Sequence, residues 1–92
     1  MLDVYATWCG PCKKVAPTYA RMSEEAEMET VRFLKCDGDK SRALLQRLGV
    51  KAFPTFLVWA GRTAEHPLRK IEGADVATIR EAIAEAKEVL AK

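Results

Sequence analysis

Residues 8 to 12 read Trp8-Cys9-Gly10-Pro11-Cys12, with a short apolar run before them and a helical pattern after. That arrangement constrains the fold more than any other feature of the chain. A disulfide needs Cα atoms about 4.4–6.8 Å apart, and a Cys-x-x-Cys spacer at the first turn of a helix meets that limit without backbone movement. Dithiol and disulfide then fit one structure. The same placement sets Cys9 at the positive end of the helix dipole beside unpaired N–H groups, which favours thiolate over thiol. The thiolate is the form that attacks disulfides, so the spacing predicts a redox pair. Taken alone, a bare Cys-x-x-Cys is equally open to zinc.

The remaining sequence narrows the setting. With 92 residues, 49% of them hydrophobic, residues 1–92 are expected to form one domain around one core. A net charge of +2 with acids and bases interspersed gives no reason to expect nucleic acid as a partner. No membrane contact is expected either, since no apolar stretch approaches the ~18–20 residues of a span and no signal segment opens the chain. Three cysteines make a poor disulfide framework, so a reducing compartment is expected, the cytoplasm first. An organelle such as the chloroplast is the alternative, if a targeting segment is removed.

Hydrophobic patterning predicts the order β-α-β-α-β-β-α. Strands are expected over Leu2–Ala6, Val31–Cys36, Thr55–Ala60 and Leu68–Ile71. A helix is expected from about Gly10 to Met28, with Cys12, Val15, Ala16, Tyr19 and Met22 inward and a kink where Pro17 interrupts it. A short helix over residues 40–48 should bury Ala43, Leu44, Leu45 and Leu48 and end at Gly49. The last helix should start after Asp75 and bury Val76, Ile79, Ile83, Ala86 and Leu90. Strands one and two, joined by a helix, should be parallel; strands three and four, joined across a Gly61-Arg62 turn, should be antiparallel. The result is an α/β fold, a four-stranded mixed sheet flanked by three helices. Cys9 falls just past the carboxyl end of the first strand, where open α/β sheets place their sites.

At this level of detail the chain resembles the thioredoxin family. The resemblance rests on Asp3-Val4-Tyr5-Ala6-Thr7-Trp8-Cys9-Gly10-Pro11-Cys12-Lys13, Ala16-Pro17, Val50-Lys51-Ala52-Phe53-Pro54-Thr55-Phe56 and Ile71-Glu72-Gly73-Ala74. It implies a thioredoxin-like fold and a thiol-disulfide oxidoreductase that reduces protein disulfides with no bound cofactor and no metal. Cys9 corresponds to the exposed attacking thiol and Cys12 to the buried resolving thiol. Asp3 corresponds to the acid beneath the pair that takes the proton from the resolving thiol, a task that burial suits by raising its pKa. Lys35 corresponds to the lysine that approaches this acid. Pro54 corresponds to a cis-proline facing the cysteines, and Trp8, Gly10, Pro11, Phe53 and Gly73 to the docking face for a substrate segment. Partners implied are disulfide-containing target proteins and a thioredoxin reductase as electron donor.

Other residues read as ordinary structure. Cys36 is expected as a small buried hydrophobe, Trp59 as strand packing, His66 as solvated, and Asp37-Gly38-Asp39 as a turn without calcium-loop spacing. Two features depart from the family pattern. Tyr5 stands where many members have tryptophan and Ala52 where many have glycine. Members also carry a strand and helix ahead of the strand that here begins at Leu2, so Val31–Cys36 is expected at an open sheet edge. A monomer is expected, with an edge-mediated dimer as the alternative. A scaffold that keeps the fold without the chemistry is the alternative function.

Overall fold

A computed structural model describes residues 1–61 and 64–92. Its elements are β1 (Leu2–Tyr5), α1 (Gly10–Ser23), β2 (Leu34–Asp37), α2 (Arg42–Leu48), β3 (Thr55–Val58), β4 (Arg69–Glu72) and α3 (Val76–Ala91), with single 3-10 turns at Ala26–Met28 and Gly38–Lys40. The four strands form one sheet in the order β2-β1-β3-β4. β1 runs parallel to β2 and antiparallel to β3, and β3 pairs antiparallel with β4. No helix among the described residues is long and apolar enough to cross a membrane.

Alternation along the strands sorts the core into two layers. Phe56, Val58 and Ile71 meet Val15, Tyr19 and Met22 of α1 and Ile79, Ala82, Ile83 and Ala86 of α3. On the other side, Val4 and Leu57 meet Leu45 of α2 and Val50. So α1 and α3 cover one face and α2 the other. Phe56 is fully buried between α1 and α3, and truncating such a residue to alanine costs about 3–5 kcal/mol.

Local chemistry explains where the elements stop. Asp75 caps α3 by accepting from the Ala77 and Thr78 amides. Gly49 ends α2 at φ 69°, a left-handed conformation that glycine adopts without a Cβ penalty. α1 continues through Pro17, whose missing N–H leaves the Lys13 carbonyl without its helical donor.

Several boundaries differ from the sequence reading. α1 ends at Ser23 and not near Met28, because Glu24 and Glu25 bring negative charge to the negative end of the dipole; Glu25 turns extended ahead of the Ala26–Met28 turn. β2 begins at Leu34 and not Val31, since its partner β1 starts at Leu2, which stands opposite Leu34. Val31 and Phe33 instead pack sideways on the α1 and α3 layer, with Phe33 edge-on to Tyr19 at 5.1 Å. β3 ends at Val58, short of Ala60, and β4 runs one residue later than expected. In α2 only Leu45 is buried and Leu48 half-buried, while Ala43 and Leu44 face outward. Leu90 is 61% exposed. A 16-residue helix, roughly 24 Å long, outruns a four-residue strand of roughly 13 Å, so the end of α3 has no sheet beneath it. The expected turn at Gly61-Arg62 lies partly outside the described residues.

Candidate active site

β1 delivers the chain to the cysteine pair. Cys9 is the N-cap of α1 with extended backbone, Gly10 and Pro11 open the helix, and Cys12 completes its first turn. Pro11 sits where a missing N–H costs nothing and a fixed φ helps. The Cys9 amide donates to Ala6 O at 3.1 Å, and the Cys12 amide donates to Cys9 Sγ at 3.2 Å. The sulfurs of Cys9 and Cys12 are joined as a disulfide across a Cα–Cα distance of 5.2 Å. The third thiol, Cys36, is free and half-buried; its Cα lies opposite Val4 in the sheet.

Exposure does not separate the two thiols as the resemblance implied. Cys9 is 5% exposed and Cys12 4%, both covered by Ala6, Tyr5 and Phe53. The asymmetry lies in hydrogen bonding, because the Cys9 sulfur takes the cap position and accepts the helix amide.

Asp3 is 1% exposed, and its Oδ1 has no hydrogen-bond partner. Burial disfavours its charged form and raises its pKa from 3.8 to about 6, with the Lys35 ammonium acting in the opposite sense. Lys35 stands opposite Asp3 in the β1–β2 register, and its Nζ lies 4.9 Å from the Tyr5 ring centroid. A cleft of about 260 Å³ lined by Asp3, Tyr5, Cys12, Lys13 and Lys35 connects this acid and the second cysteine to solvent. Tyr19, also raised by burial and then by the Asp3 charge, stays a phenol and donates to Leu34 O at 2.9 Å.

The expected docking residues fall into one region with different degrees of contact. Phe53 packs on the cysteine cluster, and Trp8 meets it edge-on at 5.8 Å with an interplanar angle of 87°. Trp8 is nevertheless 66% exposed. The Phe53-Pro54 peptide is cis, with Pro54 buried at the start of β3. Gly73 joins through its amide, which donates to Pro54 O at 2.9 Å, and its φ of 102° requires glycine. Gly10 and Pro11 lie exposed on the first turn of α1.

Two residues of this region were not singled out by sequence. Asp39 Oδ2 accepts from Trp8 Nε1 at 2.9 Å, and Gly38 is buried directly against the Phe53 ring and Leu45. Their turn was visible in Asp37-Gly38-Asp39, but its proximity to Trp8 depends on strand pairing. Among the described residues no cluster of three or more His, Cys, Asp or Glu side chains could hold a metal.

The thioredoxin family model matches residues 1–85. The chain is 38% identical over 84 residues to thioredoxin-1 of Saccharomyces cerevisiae, covering 91% of this chain and 77% of that one. The crystal structure of Malassezia sympodialis thioredoxin superposes with a TM-score of 0.81 at 32% identity, over 92% of this chain and 71% of that one. Spinach chloroplast thioredoxin f, in its short form, gives 0.80 at 34% identity, over 94% and 73%. With a bonded cysteine pair at the helix N-cap, a cis-proline beside Phe53 and this likeness along most of its length, the chain belongs to the thioredoxin family and is a thiol-disulfide oxidoreductase.

Proposed function

We propose that the chain reduces protein disulfides with Cys9 as the attacking thiol and Cys12 as the resolving thiol. The observation that carries the assignment is the Cys12 amide on the Cys9 sulfur at the positive end of α1, which stabilises charge on Cys9. The Cys9 thiolate attacks one sulfur of a target disulfide, forming a mixed disulfide and expelling the other target sulfur as a thiolate. Cys12 loses its proton to Asp3, attacks Cys9 Sγ and expels the second target sulfur. Two electrons pass to the target, two protons complete its thiols, and the Cys9–Cys12 disulfide remains.

Asp3 suits the proton-accepting step because its pKa near 6 leaves it ionised but basic at neutral pH. Lys35 tunes that basicity. Trp8, Phe53 and the exposed turn at Gly10 and Pro11 form the docking face, with Pro54 and Gly73 shaping its floor. A thioredoxin reductase is the proposed electron donor, and the free Cys36 thiol suits a reducing compartment such as the cytoplasm. Insulin reduction with dithiothreitol as donor tests the reading. The parent chain should accelerate reduction, and Cys9→Ser and Cys12→Ser should each abolish turnover. A folded parent no faster than dithiothreitol alone refutes it.

A further inference from the structure

Asp3 and Tyr5 lie two positions apart on β1, so their side chains leave the same face of the sheet. β2 runs parallel beside them, with Lys35 opposite Asp3 and Asp37 opposite Tyr5. Val4 and Cys36, the residues between, pack in the α2 layer, which puts the other four on the α1 side. In that two-by-two patch Asp3 is buried, Tyr5 half-buried and Lys35 exposed.

Lys35 makes no ion pair among the described residues, and Asp3 Oδ1 accepts no hydrogen bond. The two charges therefore interact through space, with no shared bond to fix their separation. A lysine head rides on a flexible four-carbon stem, and Coulomb energy falls with distance, so an untethered ammonium tunes a neighbour poorly. Asp37 offers no tether, since its Oδ1 accepts from the Asp39 amide at 3.0 Å. The Tyr5 ring does. Lys35 Nζ stands over its face 4.9 Å from the centroid, inside the ~6 Å at which the ring quadrupole attracts a cation.

With Asp3 as the proton acceptor of the proposed reaction, on which this role depends, we infer that Tyr5 is a positioning residue for resolution of the mixed disulfide. Its ring holds the Lys35 ammonium on the wall of the cleft shared by Asp3 and Cys12, so an aromatic face and not an ion pair sets the charge that tunes Asp3. The other groups facing Asp3 do not replace it. From α1 come Cys12, Tyr19, which stays a phenol bonded to Leu34 O, and Lys13, exposed where it borders the cleft. β3 places Phe56, which does not titrate, opposite Asp3, and the Met1 amine just ahead of β1 donates to Arg32 O at 2.8 Å. Lys35 supplies the charge that acts on Asp3.

Stopped-flow release of a target thiol from the mixed disulfide, followed against pH, separates this role from simple packing. Tyr5→Leu keeps an apolar cover over the cysteines but loses the ring face. The freed lysine should let the inflection rise by about half a pH unit, a roughly threefold slower step below it. Loss of cover alone would hydrate Asp3 and move the inflection down. Tyr5→Phe and Tyr5→Trp retain the face and should retain the parent inflection. In a Lys35→Met background, Tyr5→Leu should raise it no further, because the two residues act as one unit. Without any substitution, the ε-methylene protons of Lys35 should resonate upfield in the nuclear magnetic resonance spectrum, shielded by the ring beneath them. Absence of that upfield shift overturns the contact. An inflection that moves in Lys35→Met but stays or falls in Tyr5→Leu overturns the positioning role and leaves Asp3 as the acceptor. An inflection missing from the parent removes the Asp3 reading and the role of Tyr5 with it.

Discussion

Trp8 Nε1 donates to Asp39 Oδ2 at 2.9 Å, joining the residue before the first cysteine to a turn 31 positions later in the chain. The bond holds a largely exposed indole in a fixed pose, upright against Phe53. A docking surface that is ordered before the target arrives loses less entropy on binding. Asp39→Ala should therefore raise KM for a protein disulfide about three- to tenfold, corresponding to one exposed charge-assisted bond. Global stability should change by less than about 1 kcal/mol. Insulin-reduction kinetics and urea unfolding check both, and an unchanged KM would mean that the indole needs no tether.

Gly38→Ala should act on the same surface from below. Gly38 has no positive φ, so the substitution meets no backbone penalty. The added Cβ meets the tip of the Phe53 ring and closes on Leu45 Cδ2 at 3.1 Å. Because Phe53 is half-buried, its ring swings away and the fold survives, at a cost of about 1–3 kcal/mol. Near-UV circular dichroism should report the lost Trp8–Phe53 contact. Retention of that signal would place the strain elsewhere.

Asp3 makes stability depend on pH. Its native pKa is about 6 against 3.8 unfolded, so the native state holds a proton that the unfolded chain releases between those values. The burial penalty is absent below pH 4, grows as pH rises and is complete above pH 6, at about 3 kcal/mol at most. Asp3→Asn should accordingly be more stable than the parent at pH 7.5, with the difference shrinking by pH 4. Urea unfolding of the oxidised proteins at both pH values measures it, and a difference that does not vary with pH contradicts the shift.

The same titration should govern resolution of the mixed disulfide. The parent rate should climb through about pH 6 as Asp3 becomes a competent base. Lys35→Met removes the charge that favours ionised Asp3, so the inflection should move to higher pH. Stopped-flow release of a chromogenic target thiol reads it. An inflection that stays put would sever Lys35 from Asp3.

Much of this was legible in the sequence because it is local. The Cys9–Cys12 spacing, the Gly49 cap and the Asp75 cap are set within a few residues, and the structure reproduces each. The cis peptide at Pro54 was carried by resemblance, since the dipeptide Phe53-Pro54 says little alone. What escaped depends on pairing between distant segments. The start of β2 follows from where β1 begins, and Asp39 reaches Trp8 only once those strands lie side by side. The exposure of Leu90 reflects the mismatch between a long α3 and a short sheet, which periodicity within the helix cannot register.

Mass spectrometry of the two serine variants after incubation with a disulfide-bonded target tests the thiol assignment most directly. Cys12→Ser should accumulate a covalent adduct through Cys9, because the attack proceeds and resolution does not. Cys9→Ser should give none. An adduct through Cys12 in Cys9→Ser, with none in Cys12→Ser, would reverse the roles and contradict the claim that the cap position makes Cys9 the nucleophile.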